Sequence, residues 1–290
     1  MALLTNTASL SGSLGSIRES LLDQSSSNRA LLLMAPLIAF ELLIFVIPFF
    51  ILLRISVAGS STDHVFAEGT WSLEAYREVL TSDLLWSIIG YSFQLGAIVT
   101  VLAVVIGLFY AYAIWRSTGL LKSLLLFSVV LPLLTTLVIR TYAFDPLLVP
   151  AGLVPGTVGV VVAQLYIVLP YAVLAIYSVM ATTDWDVVEA ARDLGASRPR
   201  SVLEVVVPQV MPGIIVAAVV SFAWSVGAYA APELLSNDIT FAMHVEGLML
   251  SDMRYPEAAA LAVVMLGLMG VCIAGIFTVL NRFGGDFELA

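Results

Sequence analysis

The sequence predicts an all-α fold, a polytopic membrane protein with six transmembrane helices. Three observations lead there. Of the 290 residues, 60% are hydrophobic and only 11% charged, where a soluble domain carries about 25% charged residues. Mean hydropathy is +1.03, enough apolar material for several runs of about 20 residues, each crossing roughly 30 Å of hydrocarbon. Polar stretches are few and stand between apolar runs, notably Glu189–Ala196.

Residues 1–28 are polar and rich in Ser and Asn, with Leu10, Leu14, Ile17 and Leu21 spaced to share one helical face. This N-terminal segment is expected to form a short amphipathic helix at a membrane surface or against a partner. It does not read as a signal peptide, because the apolar run after Arg29 is too long and lacks a small-residue cleavage site. A membrane domain over 29–282 follows, with spans expected at about 30–53, 85–115, 120–142, 157–180, 209–235 and 258–281. The first turn of the second span, after Asp83, is expected to stand outside the bilayer. Prolines interrupt four of the spans (Pro36 and Pro48, Pro132, Pro170, Pro212 and Pro232). Each frees a backbone carbonyl and bends its helix, which lipid tolerates only where neighbours or water satisfy that carbonyl. Glu41, near the middle of the first span, is expected to pair with a group on a neighbouring helix or to sit in a wet cavity.

Basic residues orient the chain. With the N-terminus inside, Arg18, Arg29, Arg116, Lys122, Arg192, Arg198, Arg200 and Arg282 fall on the cytoplasmic side, and Arg54, Arg77, Arg140 and Arg254 outside. Eight against four follows the positive-inside bias, so both termini, including the tail 283–290, are expected in the cytoplasm of a multi-pass plasma-membrane protein. The formal charge is −9, with acidic residues such as Glu74, Glu78, Glu233 and Asp238 dense in the expected outer loops. Adaptation to high salt fits the spread of this excess along the chain; attraction of a cationic solute is the other reading. The one cysteine, Cys272, lies in an apolar run and permits no internal disulfide. His64 and His244 stand without ligand-spaced partners and read as loop histidines, so no metal site is expected.

Between the fourth and fifth spans, residues 181–208 switch from apolar run to amphipathic helix-turn-helix. Thr183 or Asp184 can cap the first helix, with Asp186 and Glu189 favouring its positive end. Gly195 falls where that helix ends and the chain needs a positive φ. Ser197 can cap a second helix carrying Pro199 in its first turn and Val202, Val205 and Val206 along one side.

Here the sequence resembles a family. Glu189-Ala190-Ala191, then Gly195-Ala196, Pro208 and Pro212-Gly213 resemble the EAA loop of ABC importer permeases, the MetI-like superfamily. Further segments resemble its spermidine/putrescine branch: Trp71-Ser72-Leu73-Glu74-Ala75-Tyr76, Leu131-Pro132 with Ile139-Arg140-Thr141-Tyr142, Gly227-Ala228-Tyr229 with Pro232-Glu233-Leu234-Leu235, and Tyr255-Pro256-Glu257-Ala258-Ala259-Ala260. The resemblance covers roughly residues 30–282. It departs at Ser236-Asn237, where the branch often has a Gly pair.

The resemblance implies a type I ABC importer permease fold whose loop docks in a groove on a separate ATPase. ATPase closure would then rock the permease helices as rigid bodies. Glu189, Ala190, Ala191, Gly195, Ala196, Pro208, Pro212 and Gly213 would carry the coupling, with Gly195 also allowing close backbone approach at the turn. Expected partners are the ATPase subunits, a second homologous permease (or a second copy of this chain), an extracytoplasmic solute-binding protein and membrane lipids, with no nucleic acid. The chain itself is expected to bind no cofactor and to be no enzyme. Its one lysine, Lys122, follows Leu121 and cannot complete a phosphate-cradling Gly-Lys-Ser/Thr loop, so ATP with magnesium would be used by the partner. An intramembrane enzyme would need catalytic motifs that the spans lack, and a channel or secondary transporter would need no docking loop.

Polar and aromatic residues inside spans are the solute-pathway candidates, because polarity in lipid is costly unless buried or wetted. These are Tyr91, Gln94, Arg140, Tyr142, Tyr166, Trp224, Tyr229 and Glu233. Aromatic faces attract organic cations and Glu233 can pair with an ammonium, which suits a polyamine. An Arg140 facing the cavity would instead suit a carboxylate or phosphonate, such as an amino-acid-like or aminophosphonate solute. Tyr and Trp near span ends also form interfacial belts with no solute role.

Overall fold

A computed structural model of the chain describes residues 34–61, 65–67, 69–183 and 186–284. The expected N-terminal amphipathic helix, His64, Asp184 and the end of the tail lie outside the described residues. Every regular element among those described is helical, apart from a single bridge between Gly59 and Ala67. The chain divides into two units, Met1–Arg54 and Ile55–Ala290.

α1 (34–41) passes through a π turn, Leu42–Val46, into α2 (Ile47–Ser56), all but the last two residues belonging to the first unit. Together they make one 23-residue apolar helix, Met34–Ser56. Glu41 stands at the start of the π turn and is exposed.

In the second unit, α3 (Glu74–Thr81) is short and amphipathic, burying Ala75 and Val79 four residues apart on one face. Ser82 closes α3 and caps α4 (Asp83–Arg116), its hydroxyl accepting from the Leu85 N–H at 3.4 Å. At 34 residues, α4 spans about 51 Å, longer than the hydrocarbon is thick. Next come α5 (Gly119–Leu133), α6 (Leu137–Tyr142), α7 (Asp145–Leu148) and α8 (Thr157–Met180). The connector holds α9 (Asp186–Asp193), α10 (Arg198–Ser201), a π turn at Val202–Val206 and α11 (Val207–Gln209). The chain ends in α12 (Met211–Val226), α13 (Ala230–Leu235), α14 (Phe241–Leu250) and α15 (Tyr255–Gly284).

Among the described residues, four helices are long and apolar enough to cross a membrane, and six crossings result if each of two bent pairs counts as one. The bends correct two expectations. The third span is not one helix over 120–142: α5 stops at Leu133 and the chain turns by 110° into Leu137–Leu148. Pro132 sits in the last turn of α5, and Thr136 is extended before the chain re-enters a helix. Nor is the fifth span continuous over 209–235. Val202–Gln209 meets Met211–Val226 at 69° across Val210, and Ala230–Leu235 is a separate helix beyond Gly227. Pro212, in the first turn of α12, has no N–H to continue the preceding helix.

The core forms where α4, α8 and α12 pack together, around Val99, Ala103, Ala163, Ala172, Ile176 and Ala217. Small residues let these backbones approach, the usual means of helix association in lipid. Gly213 is the tightest case on the α8–α12 seam: a Cβ there would lie 2.8 Å from the Ala175 carbonyl oxygen and 2.9 Å from the Ile176 Cα. α15 packs on α12 and α3 through Leu261 and Met265. Ser92 ties the outer segments in, accepting from the Phe241 N–H at 2.8 Å while donating to the Ile88 carbonyl. Away from the core, side chains such as Phe109 and Val271 remain exposed, as a helix facing lipid or another subunit allows.

Candidate functional site

Two places in the second unit combine exposure, shape and polar chemistry: the connector between α8 and α12, and a cavity beside α8, α12 and α13.

The connector is stiff for local reasons. Asp186 and Glu189 lie in the first turn of α9 and Arg192 in its last, matching the helix dipole at both ends. The helix stops at a glycine cap. Gly195 has φ +91°; its N–H donates to the Arg192 carbonyl at 2.9 Å, and the Ala196 N–H reaches the Ala191 carbonyl at 3.1 Å. That pair of bonds is the Schellman arrangement, which satisfies carbonyls the helix would leave open. Nothing lies within 4 Å of where a Gly195 Cβ would be, so within this chain the backbone angle, not space, calls for glycine. Thr183 does not cap α9: it precedes Asp186 by three residues, and its hydroxyl donates to the Val179 carbonyl at the end of α8. Ser197 holds the cap position of α10, its carbonyl accepting from the Ser201 N–H at 2.9 Å. Arg200 and Glu204 pair at 2.9 Å one turn apart, both well exposed, which adds little stability.

The connector has a buried side and an open side. Val188, Val206 and Val210 are buried in one cluster with Ile176, Met180 and Met211, fastening the connector to the ends of α8 and α12. On the open side, Glu189 and Ala190 are exposed and Leu194 is 90% exposed. Glu189, Arg192, Asp193, Ala196 and Ser197 line a shallow depression there. Of the residues expected to couple, Glu189, Ala190, Ala191, Gly195 and Ala196 come together on this arm. Pro208 sits in the first turn of α11, and Pro212 and Gly213 form the elbow and the α8–α12 contact.

The cavity has a volume of about 480 Å³. Leu137 and Val138, just past the α5–α6 break, form one wall; Trp224 and Gly227–Ala231 form another, with Gln164 and Ile167 of α8 between them. Trp224 is stacked on Tyr171, ring centroids 5.4 Å apart, and Tyr229 lies beside Glu246 and Glu233. Of the eight expected pathway residues, only Trp224 and Tyr229 line this cavity. Arg140 does not: its Nε and one terminal nitrogen donate to the Thr135 carbonyl at 3.1 and 2.8 Å, clasping the α5–α6 break. The carbonyl freed by the bend thereby finds its partner. Tyr91 points its hydroxyl at Thr157 (3.3 Å), which in turn reaches Asp238 (3.5 Å). Tyr166 packs edge-on against Phe144, and Gln94, Tyr142 and Glu233 are exposed outside the cavity lining. Sequence reasoning missed Gln164 and Tyr171. Gln164 carried a usable signal, as an amide inside the apolar run 157–180.

A third polar group lies between α3 and the start of α15. Arg254 donates to both carboxylate oxygens of Glu78 at 2.9 Å and also pairs with Glu257. His244, on α14, lines the same small cavity. Burial pushes its imidazole below the ordinary range; Asp252 opposes that and Arg254 reinforces it.

Residues 103–283, which include the connector and the cavity walls, match the family described as binding-protein-dependent transport system inner membrane component. The chain belongs to this family. It is therefore a multi-pass inner-membrane transport component of the ABC importer class, and not an enzyme. The spermidine/putrescine transport system permease protein PotB of Escherichia coli is 24% identical over 230 residues, covering 73% of this chain and 83% of that protein. Its counterpart in Haemophilus influenzae is 27% identical over 219 residues, covering 69% and 76%. The sulfate transport system permease protein CysT of Salmonella typhimurium is 32% identical, but over 130 residues, 43% of this chain and 47% of that one. Among solved structures, a bacterial ABC transporter importing the acidic polysaccharide alginate aligns with TM-score 0.70 at 13% identity, covering 92% of this chain and all of that one. An amino acid ABC transporter aligns with TM-score 0.52 at 19% identity, covering 72% and 96%. The fold is that of the type I importer permeases.

Proposed function

We propose that this chain forms the solute pathway of an importer for polyamine-like solutes and is driven by a separate ATPase that grips α9–α11. The observation that carries the reading is the connector's two-sidedness. Its inner valines are locked to the ends of α8 and α12, while its outer face stays exposed and ends at a rigid glycine cap. A stiff handle fixed to two packed helices suits rigid-body rocking. ATP with magnesium is then consumed on the partner. A solute-binding protein delivers from outside, as a periplasmic protein is bound in a structure of the alginate importer, and a second permease, homologous or identical, completes the pathway. Both termini face the cytoplasm, in keeping with eight basic residues on that side against four.

The polyamine assignment rests on the similarity to PotB and on the cavity's aromatic wall with Glu233 and Glu246 beside it. The second reading, an anionic or amino-acid-like solute such as an aminophosphonate, is favoured by the partial similarity to CysT. Arg140 weighs against it, since two of its nitrogens are committed to the Thr135 carbonyl. Two measurements test the proposal. Co-purification of an ATPase, lost on substituting Glu189 and Gly195 together, is the expected result for coupling; retention of the ATPase would remove the connector's role. Titration of the partner binding protein with spermidine, putrescine, sulfate and an aminophosphonate should yield binding of the polyamines alone, and tight sulfate binding would reverse the solute assignment.

A further inference from the structure

Gln164 is 1% exposed in the middle of α8, lines the cavity, and has no hydrogen-bond partner on either amide atom. Burying an amide without a partner costs about 1–3 kcal/mol, and an apolar residue of similar size would avoid that cost. Such a cost inside a well-packed seam calls for a use. A neighbouring subunit cannot reach the side chain at the surface, because almost none of it is on the surface. The cavity side is the direction open to it, because Gln164 is one of the residues lining the 480 Å³ space.

The rest of the lining restricts what can meet the amide there. Leu137, Val138, Ile167 and Ala231 are apolar, Trp224 offers an aromatic face, and no Asp, Glu, Lys or Arg lines the space. Two carboxylates, Glu233 and Glu246, stand beside Tyr229. An anion would meet apolar walls and, next to Tyr229, like charge. A linear organic cation is accommodated throughout: methylenes along the aliphatic wall, one ammonium on the Trp224 face, and an ammonium N–H donated to the Gln164 amide oxygen.

We infer that Gln164 is a specificity-determining residue of the solute cavity, accepting a hydrogen bond from an ammonium group of a linear polyamine as it passes Trp224. This rests on the polyamine reading proposed above. A neutral amide suits passage, because it supplies one acceptor without the deep well that a buried carboxylate would make for a cation.

The test uses the complete importer in proteoliposomes, supplied with saturating spermidine-loaded binding protein, for wild type, Gln164→Leu and Gln164→Glu. Gln164→Leu removes an unpartnered buried amide, so the melting temperature should hold or rise while the maximal spermidine uptake rate falls at least tenfold. Gln164→Glu should slow release, trapping labelled spermidine in the membrane fraction above the wild-type level. A merely structural Gln164 predicts the opposite for leucine, a lower melting temperature with uptake per folded complex unchanged, and that result would overturn the inference. Unchanged uptake with unchanged stability overturns it as well. If wild type carries another solute and no polyamine, the polyamine reading fails first and takes this inference with it, a different outcome from polyamine transport indifferent to residue 164.

Discussion

Replacing Gly195 separates two reasons for having glycine at the connector's turn. Its φ of +91° lies in the left-handed region, which costs an L-residue about 1–2 kcal/mol. No atom lies within 4 Å of the Cβ position, so alanine incurs the backbone cost alone. That amounts to a shift of roughly 5- to 30-fold from the bonded turn toward an unravelled one. Asparagine tolerates positive φ better than alanine, and a β-branched residue tolerates it worst. If the turn's rigidity is what matters, ATPase co-purification and solute uptake should rank Gly195, then Gly195→Asn, then Gly195→Ala, then Gly195→Val, with equal amounts inserted in the membrane. If close approach of a partner is what matters, the ranking follows size and alanine outperforms asparagine. That second order, or four indistinguishable proteins, would refute the conformational argument.

Three further substitutions probe the scaffold. Gly213→Ala places a Cβ within 3 Å of α8 backbone; the overpacking should cost about 1–3 kcal/mol, read as a lower melting temperature in detergent. Arg140→Leu strips the Thr135 carbonyl of both its guanidinium donors and should destabilise the α5–α6 bend by about 1–3 kcal/mol, whereas a neutral result would mean that another group supports the elbow. His244, outside the spans, has its proton affinity lowered by burial, so the unfolded chain protonates first and stability falls as pH drops through about 6.5. His244→Gln should flatten the decline in melting temperature between pH 7 and pH 5, and a parallel curve for wild type and variant would contradict this.

The sequence made some levels of this structure legible and hid others. Apolar runs located the spanning helices because lipid demands about 20 residues wherever it is crossed, and Gly195 announced its turn because few residues adopt its φ. The bends stayed hidden for the same reason that the spans were visible. Hydropathy registers how apolar a run is, not its direction, and the few weakly polar residues around Leu134 and Val210, such as Thr135, Thr136 and Gln209, vanish in an average over about 20 residues. Pro132 and Pro212 marked the neighbourhoods, but a proline at a helix end leaves no mark of how far the chain then turns. The fold scatters the pathway candidates chosen by residue type. Trp224 and Tyr229 reach the cavity, while Arg140 gives two of its three nitrogens to a carbonyl that is open only because of a bend the sequence did not show. Gln164 was passed over as a lone neutral residue, although in an apolar interior a neutral amide still has four hydrogen-bonding positions to fill.

The elbow at Val210 gives the chain the mechanics of a bell crank. One arm, Val202–Gln209, is about 12 Å long and the other, Met211–Val226, about 24 Å, at 1.5 Å per residue. They meet at 69°, and Gly213 holds the pivot against α8. Under the coupling proposed above, a push at the short arm's tip is carried in another direction to the far end of the long arm, beside Trp224, and α8, packed along α12, travels with it.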